Sequence, residues 1–177
     1  FAIADEGSEK DAMLLNPQNT LALYNEMLHS YPLYVYITGP VDDSSIHKLI
    51  DDFSAIERGD IKPLKPTGVE KAVIEVKRVD ESMDVNQGKL CLGFRTNVQP
   101  SSPDYYPLVV YNSILGGDTH SKLFQNVREK ASLAYYAQSI LEKYKGLMVI
   151  MSGIEAENRS KAEEIILKQV ENMRKGN

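Results

Sequence analysis

Residues 114–136 restrict the fold of this chain more than any other stretch; they read I-L-G-G-D-T-H-S-K-L-F-Q-N-V-R-E-K-A-S-L-A-Y-Y. Just upstream, Ser101 and Ser102 offer hydroxyl caps, Pro103 suits a first helical turn, and Asp104 favours its positive end, so a helix is expected to start there. Tyr106, Val109, Val110, Ser113 and Ile114 recur at three-to-four spacing, and Gly116 with Gly117 predicts a left-handed stop. Asp118 or Thr119 is the expected cap of a second helix, in which Leu123, Phe124, Val127 and Ala131 form one apolar stripe bordered by Arg128. From Leu133 the pattern turns to strand, with Tyr135, Tyr136 and Ile140 favouring extended backbone. Arg128 and Tyr135 are thereby expected to face each other across a short helix-to-strand turn, placing a guanidinium and a phenol at one edge.

The rest of the chain supplies further helices and strands. Residues 1–15 carry acids, Gly7 and Ser8 with little periodicity and read as a loose lead-in. Asn19 or Thr20 is expected to cap a helix bearing Leu23, Tyr24, Met27 and Leu28, ended by Tyr31 and Pro32. The apolar run 33–38 reads as a buried strand before Gly39 and Pro40. Asp42 or Asp43 then caps a helix with Ile46, Leu49, Ile50, Phe53 and Ile56 inward. Between 58 and 68, Gly59, Pro63, Pro66 and Gly68 interrupt any apolar period and mark the best internal boundary. Residues 72–79 and 89–96 read as strands, 133–142 and 147–152 as a hairpin around Tyr144, Lys145 and Gly146. Asn158 is the expected cap of a last helix with Ala162, Ile165, Ile166, Val170 and Met173 inward. The order predicts an α+β fold, an antiparallel or mixed sheet with helices packed on one face. We divide it into a helix–strand–helix segment (1–58), a linker (59–71) and a second α+β domain (72–177).

Charge and cysteine usage narrow the function classes. A net charge of −5 and a pI near 5.3 give no electrostatic footprint for nucleic acid or an anionic membrane. No apolar run reaches membrane-spanning length. Cys91 is the single cysteine, so no internal disulfide forms; its place between Leu90 and Leu92 reads as strand packing, and a reducing, cytoplasmic compartment is expected. The chain starts at Phe1 and stops at Asn177 directly after a helix, and we read it as a piece of a longer protein.

Few residues carry chemistry by themselves. His29, His47 and His120 are far apart, and none has a second histidine near it. His47 and Asp51 share a helical face at i and i+4, and His120 falls near a helix start, but metal sites need three or four ligands. Ser121, His120 and Asp118 are too close in sequence for the geometry of a nucleophilic relay. Gly116 and Gly117 lack the following Lys-Ser or Lys-Thr of a phosphate loop. For Arg128 the competing assignments are a surface pair with Glu129 and a groove-lining donor; for Tyr135 they are a core tyrosine and the same groove.

The 114–136 stretch resembles the second-domain signature of the M16 (pitrilysin, or insulinase-like) zinc metallopeptidases, roughly I-L-G-G-G-x-S-S-R-L-F-x-x-x-R-E-K-x-G-L-A-Y. The run L-Y-V-Y-I-T-G-P-V-D and the strand V-N-Q-G-K-L-C-L-G-F-R are also similar to elements of that family, so the resemblance covers nearly the whole chain. Asp118 replaces the third glycine, His120 the first serine, Lys122 the arginine before L-F, and Ser132 the glycine before L-A-Y. The Arg and Tyr positions match as Arg128 and Tyr135. The resemblance implies that residues 1–58 complete a preceding M16-like module and that 72–177 form the second, non-metal-binding domain. It implies that Arg128 and Tyr135 donate hydrogen bonds to an extended peptide substrate. The family's zinc motif H-x-x-E-H is missing from this sequence, so no cofactor is expected here; Zn2+ is expected in a metal-binding half, or a homologous subunit, outside residues 1–177. The chain alone is then expected not to hydrolyse peptides. The remaining alternative is a domain of a non-catalytic partner or scaffold subunit that complements a zinc-bearing homologue.

Overall fold

The computed structural model describes residues 7–64 and 75–177 and divides into two compact units, 1–66 and 67–177.

In the first unit, a short helix α1 (Glu9–Leu14) occupies the expected loose lead-in, because Ser8 accepts from the Asp11 amide and Glu9 and Asp11 sit in the positive first turn. Helix α2 (Pro17–Ser30) starts earlier than expected. Asn16 caps it in a reciprocal box with Asn19, and Pro17 supplies the preset first turn. Helix α3 (Asp43–Ser54) is capped by Asp42, whose carboxylate accepts from the Ser45 amide at 2.8 Å and from the Ser44 and Ser45 hydroxyls. Those donors hold the Asp42 carboxyl at about 2, below the ordinary 3.8. Residues 33–38, expected as a buried strand, pair with nothing among the described residues and are exposed, since no sheet lies beside them in this unit.

The end of α2 is closed by long-range contacts rather than by its own sequence. The Arg58 guanidinium donates to the Leu28 and Tyr31 carbonyls, two of the acceptors that a helix end leaves unsatisfied. The amides of Gly59 and Lys62 donate to His29 and Ser30 carbonyls at 2.9 and 2.7 Å. Gly59 lies close under the His29 ring: a Cβ there would stand 2.2 Å from it and would push the ring aside.

The second unit contains the core. Strands β1 (Gly88–Arg95), β2 (Ala134–Glu142) and β3 (Leu147–Ile154) form an antiparallel sheet in the order β1-β3-β2. The expected strand at 72–79 is not formed over 75–79, and 72–74 lie outside the described residues. The pairings Leu90 with Ser152, Leu92 with Ile150 and Phe94 with Met148 put one apolar row on one face. That face meets helix residues Leu115, Leu123, Val127, Ala162 and Ile166, all fully buried. Cys91 points to the other face and is exposed. The β2–β3 hairpin closes at Gly146, whose φ of 60° is the left-handed conformation that a tight turn needs.

Helix α4 (Tyr105–Asn112) begins later than Ser101. The Ser102 hydroxyl is used by the Gln99 amide, and 101–104 form a turn instead. After Asn112 the backbone widens into a π-helical turn, Ser113–Gly117. The glycines do not make a left-handed stop: Gly116 has φ −156°. It is a close-approach glycine, since a Cβ there would lie 2.5 Å from the Ser139 amide nitrogen and 2.8 Å from Leu123 Cδ1. Asn112 binds the same strand residue, with Nδ2 donating to the Ser139 carbonyl at 3.1 Å and its own carbonyl accepting from the Ser139 hydroxyl. A helix end thus covers the centre of the β2 edge. The chain ends in α5 (Arg159–Arg174), which buries Ala162, Ile166 and Gln169. Asn158 precedes it but makes no side-chain cap; its amide group donates to Glu155 across a 3-10 turn.

Candidate functional site

The candidate site grows out of the second π-helical segment, Phe124–Glu129, and the turn into β2. Asp118 does not cap this helix; its carboxylate accepts from the His120 amide, and the buried Ser121 hydroxyl accepts from Phe124 while donating to the Asp118 carbonyl. The Ser121 hydroxyl is therefore committed to backbone, and a relay through His120 has no nucleophile. Gln125 fastens the helix start, its side chain donating to the Thr119 carbonyl at 2.9 Å.

At the other end the Lys130 amide reaches back to Gln125 O, a five-residue step, and Ser132 and Leu133 donate to Arg128 and Val127 carbonyls, each at 3.1 Å. Ser132 holds φ 52°, a left-handed conformation that suits glycine, the residue of the resembling signature at this position. This turn fixes where Arg128 leaves the helix and where β2 begins.

Arg128 is half-exposed, with its guanidinium 4.6 Å from the centre of the Phe124 ring and donating to Glu129 at 2.9 Å. The surface pair considered from the sequence is therefore present. With both partners 42–50% exposed, such a pair is worth about 0–1 kcal/mol, too little to withhold the guanidinium from a better acceptor. The ring beneath it limits the side chain's freedom and presents its donors outward.

Tyr135 is not a core residue: it is 67% exposed, and among the described residues its hydroxyl meets no hydrogen-bond partner. Its position follows from a β-bulge. Ala134 pairs with Ile154 and Tyr136 with Gly153, so Tyr135 is the extra residue, re-aimed away from the ladder. The Tyr136 carbonyl beside the bulge is satisfied by the buried Ser152 hydroxyl at 2.9 Å, and the Tyr136 ring lies on Gly153, where a Cβ would come within 2.5 Å of it. Sequence reasoning named Arg128 and Tyr135; the bulge and the seat at Gly153 were not readable, because both depend on the register between strands.

The three histidines do not converge. His29 Nδ1 lies 3.2 Å from Glu57 O, His47 Nδ1 lies 2.6 Å from Asp43 O, and His120 is exposed. Among the described residues no three His, Cys, Asp or Glu side chains are placed to hold a metal ion. The zinc chemistry of the resembling family therefore finds no donor set in the described residues, and no step through a metal is assigned to them. No helix of the described residues is long and apolar enough to cross a membrane.

Similar proteins agree with the fold. The chain is 37% identical to the probable inactive metalloprotease YmfF of Bacillus subtilis (strain 168), over 99% of this chain and 41% of that protein. It is 30% identical to an uncharacterized zinc protease of the same organism, YmxG, over 86% of this chain and 39% of the relative. A crystal structure of a conserved protein from Enterococcus faecalis V583 superposes with a TM-score of 0.87 at 28% identity, over 98% of this chain and 41% of that one. A protease from Helicobacter pylori shares the fold, with a TM-score of 0.69 at 18% identity over 97% of this chain and 42% of that one. The chain thus spans about two-fifths of the length of these relatives. Residues 15–177 match the family described as the peptidase M16 inactive domain, and the chain belongs to that family.

Proposed function

We propose that this inactive M16 domain holds an extended peptide opposite a zinc site supplied from outside residues 1–177, by the same polypeptide or by a homologous subunit. The observation that carries the proposal is Tyr135, lifted out of the ladder by a bulge with its hydroxyl unpartnered, one short turn after the outward-facing Arg128. A phenol and a guanidinium both donate, and the guanidinium stays charged, which suits a peptide carbonyl that gains negative charge during attack. The domain contributes orientation and hydrogen bonds; among the described residues no set of ligands is placed to hold a metal that would generate the attacking water.

The test is Arg128→Ala with Tyr135→Phe in the full protein together with any partner subunit. Peptide cleavage should fall by about 100–1,000-fold, the range seen when one such donor is removed, with an unchanged melting temperature. Unchanged cleavage by a folded double variant sinks the substrate role.

A second reading has its own support: YmfF, similar over 99% of this chain, is a probable inactive metalloprotease. In that reading the domain belongs to a non-catalytic partner or scaffold, and Arg128 and Tyr135 act across a subunit interface. Elemental analysis for zinc on the full-length protein separates the two. Bound zinc with chelator-sensitive cleavage supports a self-contained peptidase, and its absence supports the partner subunit.

A further inference from the structure

Residues 76–83 lead toward β1 and form no helix or strand of their own. Two charges of this segment meet two charges of α5. The Arg78 guanidinium donates to both Glu163 oxygens, Nη1 to Oε2 at 3.1 Å and Nη2 to Oε1 at 2.7 Å, and Arg159 Nη1 lies 2.8 Å from Asp80 Oδ1. Glu163 is the most covered of the four, its side chain 17% exposed. The four charges act on one another. The Arg78 hydrogen bond holds the Glu163 carboxyl below its ordinary 4.5, with Arg159 adding to the effect, and Glu163 in turn raises Arg78, with Asp80 adding to it. Apolar packing does not hold the segment, since Val76, Val79, Met83 and Val85 are 60–81% exposed.

Arg159 and Glu163 stand four apart on α5, about 6 Å along its axis, on one flank of the buried stripe Ala162, Ile166 and Gln169. Arg78 and Asp80 stand two apart. In extended chain such residues project to one side about 6.6 Å from each other, while the residue between them, here Val79, points away. The two spacings match. The order of charge also fixes direction. The segment reads positive then negative, and so does the helix, so opposite charges meet only when the two run antiparallel. Run parallel, Arg78 would face Arg159 and Asp80 would face Glu163, and both contacts would repel. An isolated exposed ion pair contributes little, but a two-pronged guanidinium–carboxylate pair inside a four-charge network is the exception.

We infer that residues 78–80 are a charge-fastened strap, which anchors the connection between the two units to α5 before the chain enters the sheet. The units divide after Pro66, and β1 begins at Gly88. Fastening at Arg78 rather than at Gly88 withdraws residues 78–87 from that connection, about 33 Å of extended chain. The strap thereby sets the length of chain that joins the units, and its hold depends on charge rather than on packing. This inference stands independently of the peptide-holding role, because it uses neither Arg128 nor Tyr135.

The test is backbone amide relaxation by NMR on residues 1–177. Order parameters over 78–82 should lie near about 0.85, the level of rigid backbone, and fall below about 0.6 in Arg78→Glu, which sets a carboxylate against Glu163. Adding Glu163→Arg to that variant reverses both charges and should restore the rigid level. The order parameters of β3 should stay unchanged throughout, which separates release of the strap from loss of the fold. Should the reversed pair fail to fold, Arg78→Gln with Asp80→Asn removes both ion pairs at exposed positions without altering α5, and 78–82 must loosen in the same way. Low order over 78–82 in the unaltered chain overturns the inference. So does a segment that stays rigid in Arg78→Glu or in the folded Arg78→Gln, Asp80→Asn variant, and so does a folded charge reversal that stays loose.

Discussion

Gly116→Ala should be among the most damaging single-methyl additions in this chain. The new Cβ would stand 2.5 Å from the Ser139 amide nitrogen, 2.6 Å from its hydroxyl oxygen and 2.8 Å from Leu123 Cδ1. The Leu123 side chain can turn, but Ser139 belongs to β2 and is bound on the same side by Asn112. Relief therefore means moving the π-helical turn away from the strand, which loosens Leu115 and Leu123 in the core. Overpacking of this kind typically costs 1–3 kcal/mol, and a backbone clash places this case at about 3 kcal/mol. Two glycines of the same sheet set the scale. Gly153→Ala meets chiefly the Tyr136 ring, which can shift, so about 1–2 kcal/mol is expected. Gly93→Ala meets nothing within 4 Å and should stabilise by about 0.5 kcal/mol, because alanine loses less backbone entropy. Urea unfolding of the three variants measures the order directly. If Gly116→Ala is tolerated as well as Gly93→Ala, the close approach of turn and strand is not present in solution.

Ser132→Gly should stabilise by about 0.5 kcal/mol, relief of the left-handed conformation outweighing the entropy of glycine, and Ser132→Val should cost about 1–2 kcal/mol; opposite signs in thermal melts would refute the assignment. The Asp42 carboxyl titrates lower in the folded chain, so its contribution to α3 is complete above about pH 4 and lost as pH falls toward 2. Helicity of α3 followed by NMR over that window should show the loss, Asp42→Ala should show none, and an Asp42 titrating at 3.8 would contradict the capping account. Arg58→Ala removes two charge-assisted bonds from the end of α2 and should cost about 1–2 kcal/mol, read as faster exchange of the amides near Tyr31; unchanged exchange there would show that the guanidinium is dispensable.

Much of the second unit was legible because its signals are local and periodic. The alternation around Leu90, Leu92 and Phe94, the turn at Gly146 and the inward face Ala162, Ile165, Ile166 all survive in the structure. What the sequence hid depends on partners distant along the chain. Gly116 and Gly117 look like a helix stop, and only the proximity of Ser139 shows that Gly116 is a contact glycine. Ser102 looks like a helix cap, but Gln99 takes its hydroxyl. The run 33–38 reads as a buried strand, yet it is exposed and pairs with nothing among the described residues. At the candidate site, the identities of Arg128 and Tyr135 were legible through their motif. The bulge that turns Tyr135 outward came from register alone.

The five-residue hydrogen-bond step that spans Arg128, from Lys130 back to Gln125, makes the site sensitive to residue count. Each residue of an α-helix advances the side-chain direction by about 100°, and a π-helical turn absorbs one residue more than that winding allows. Deleting a residue such as Asn126 would let the segment relax toward α-helical winding with Val127 still drawn to the core, and the angle at which Arg128 leaves the axis would change with it. The widened turn acts as a phase setting: its surplus residue fixes the direction in which the guanidinium leaves the axis relative to the buried valine.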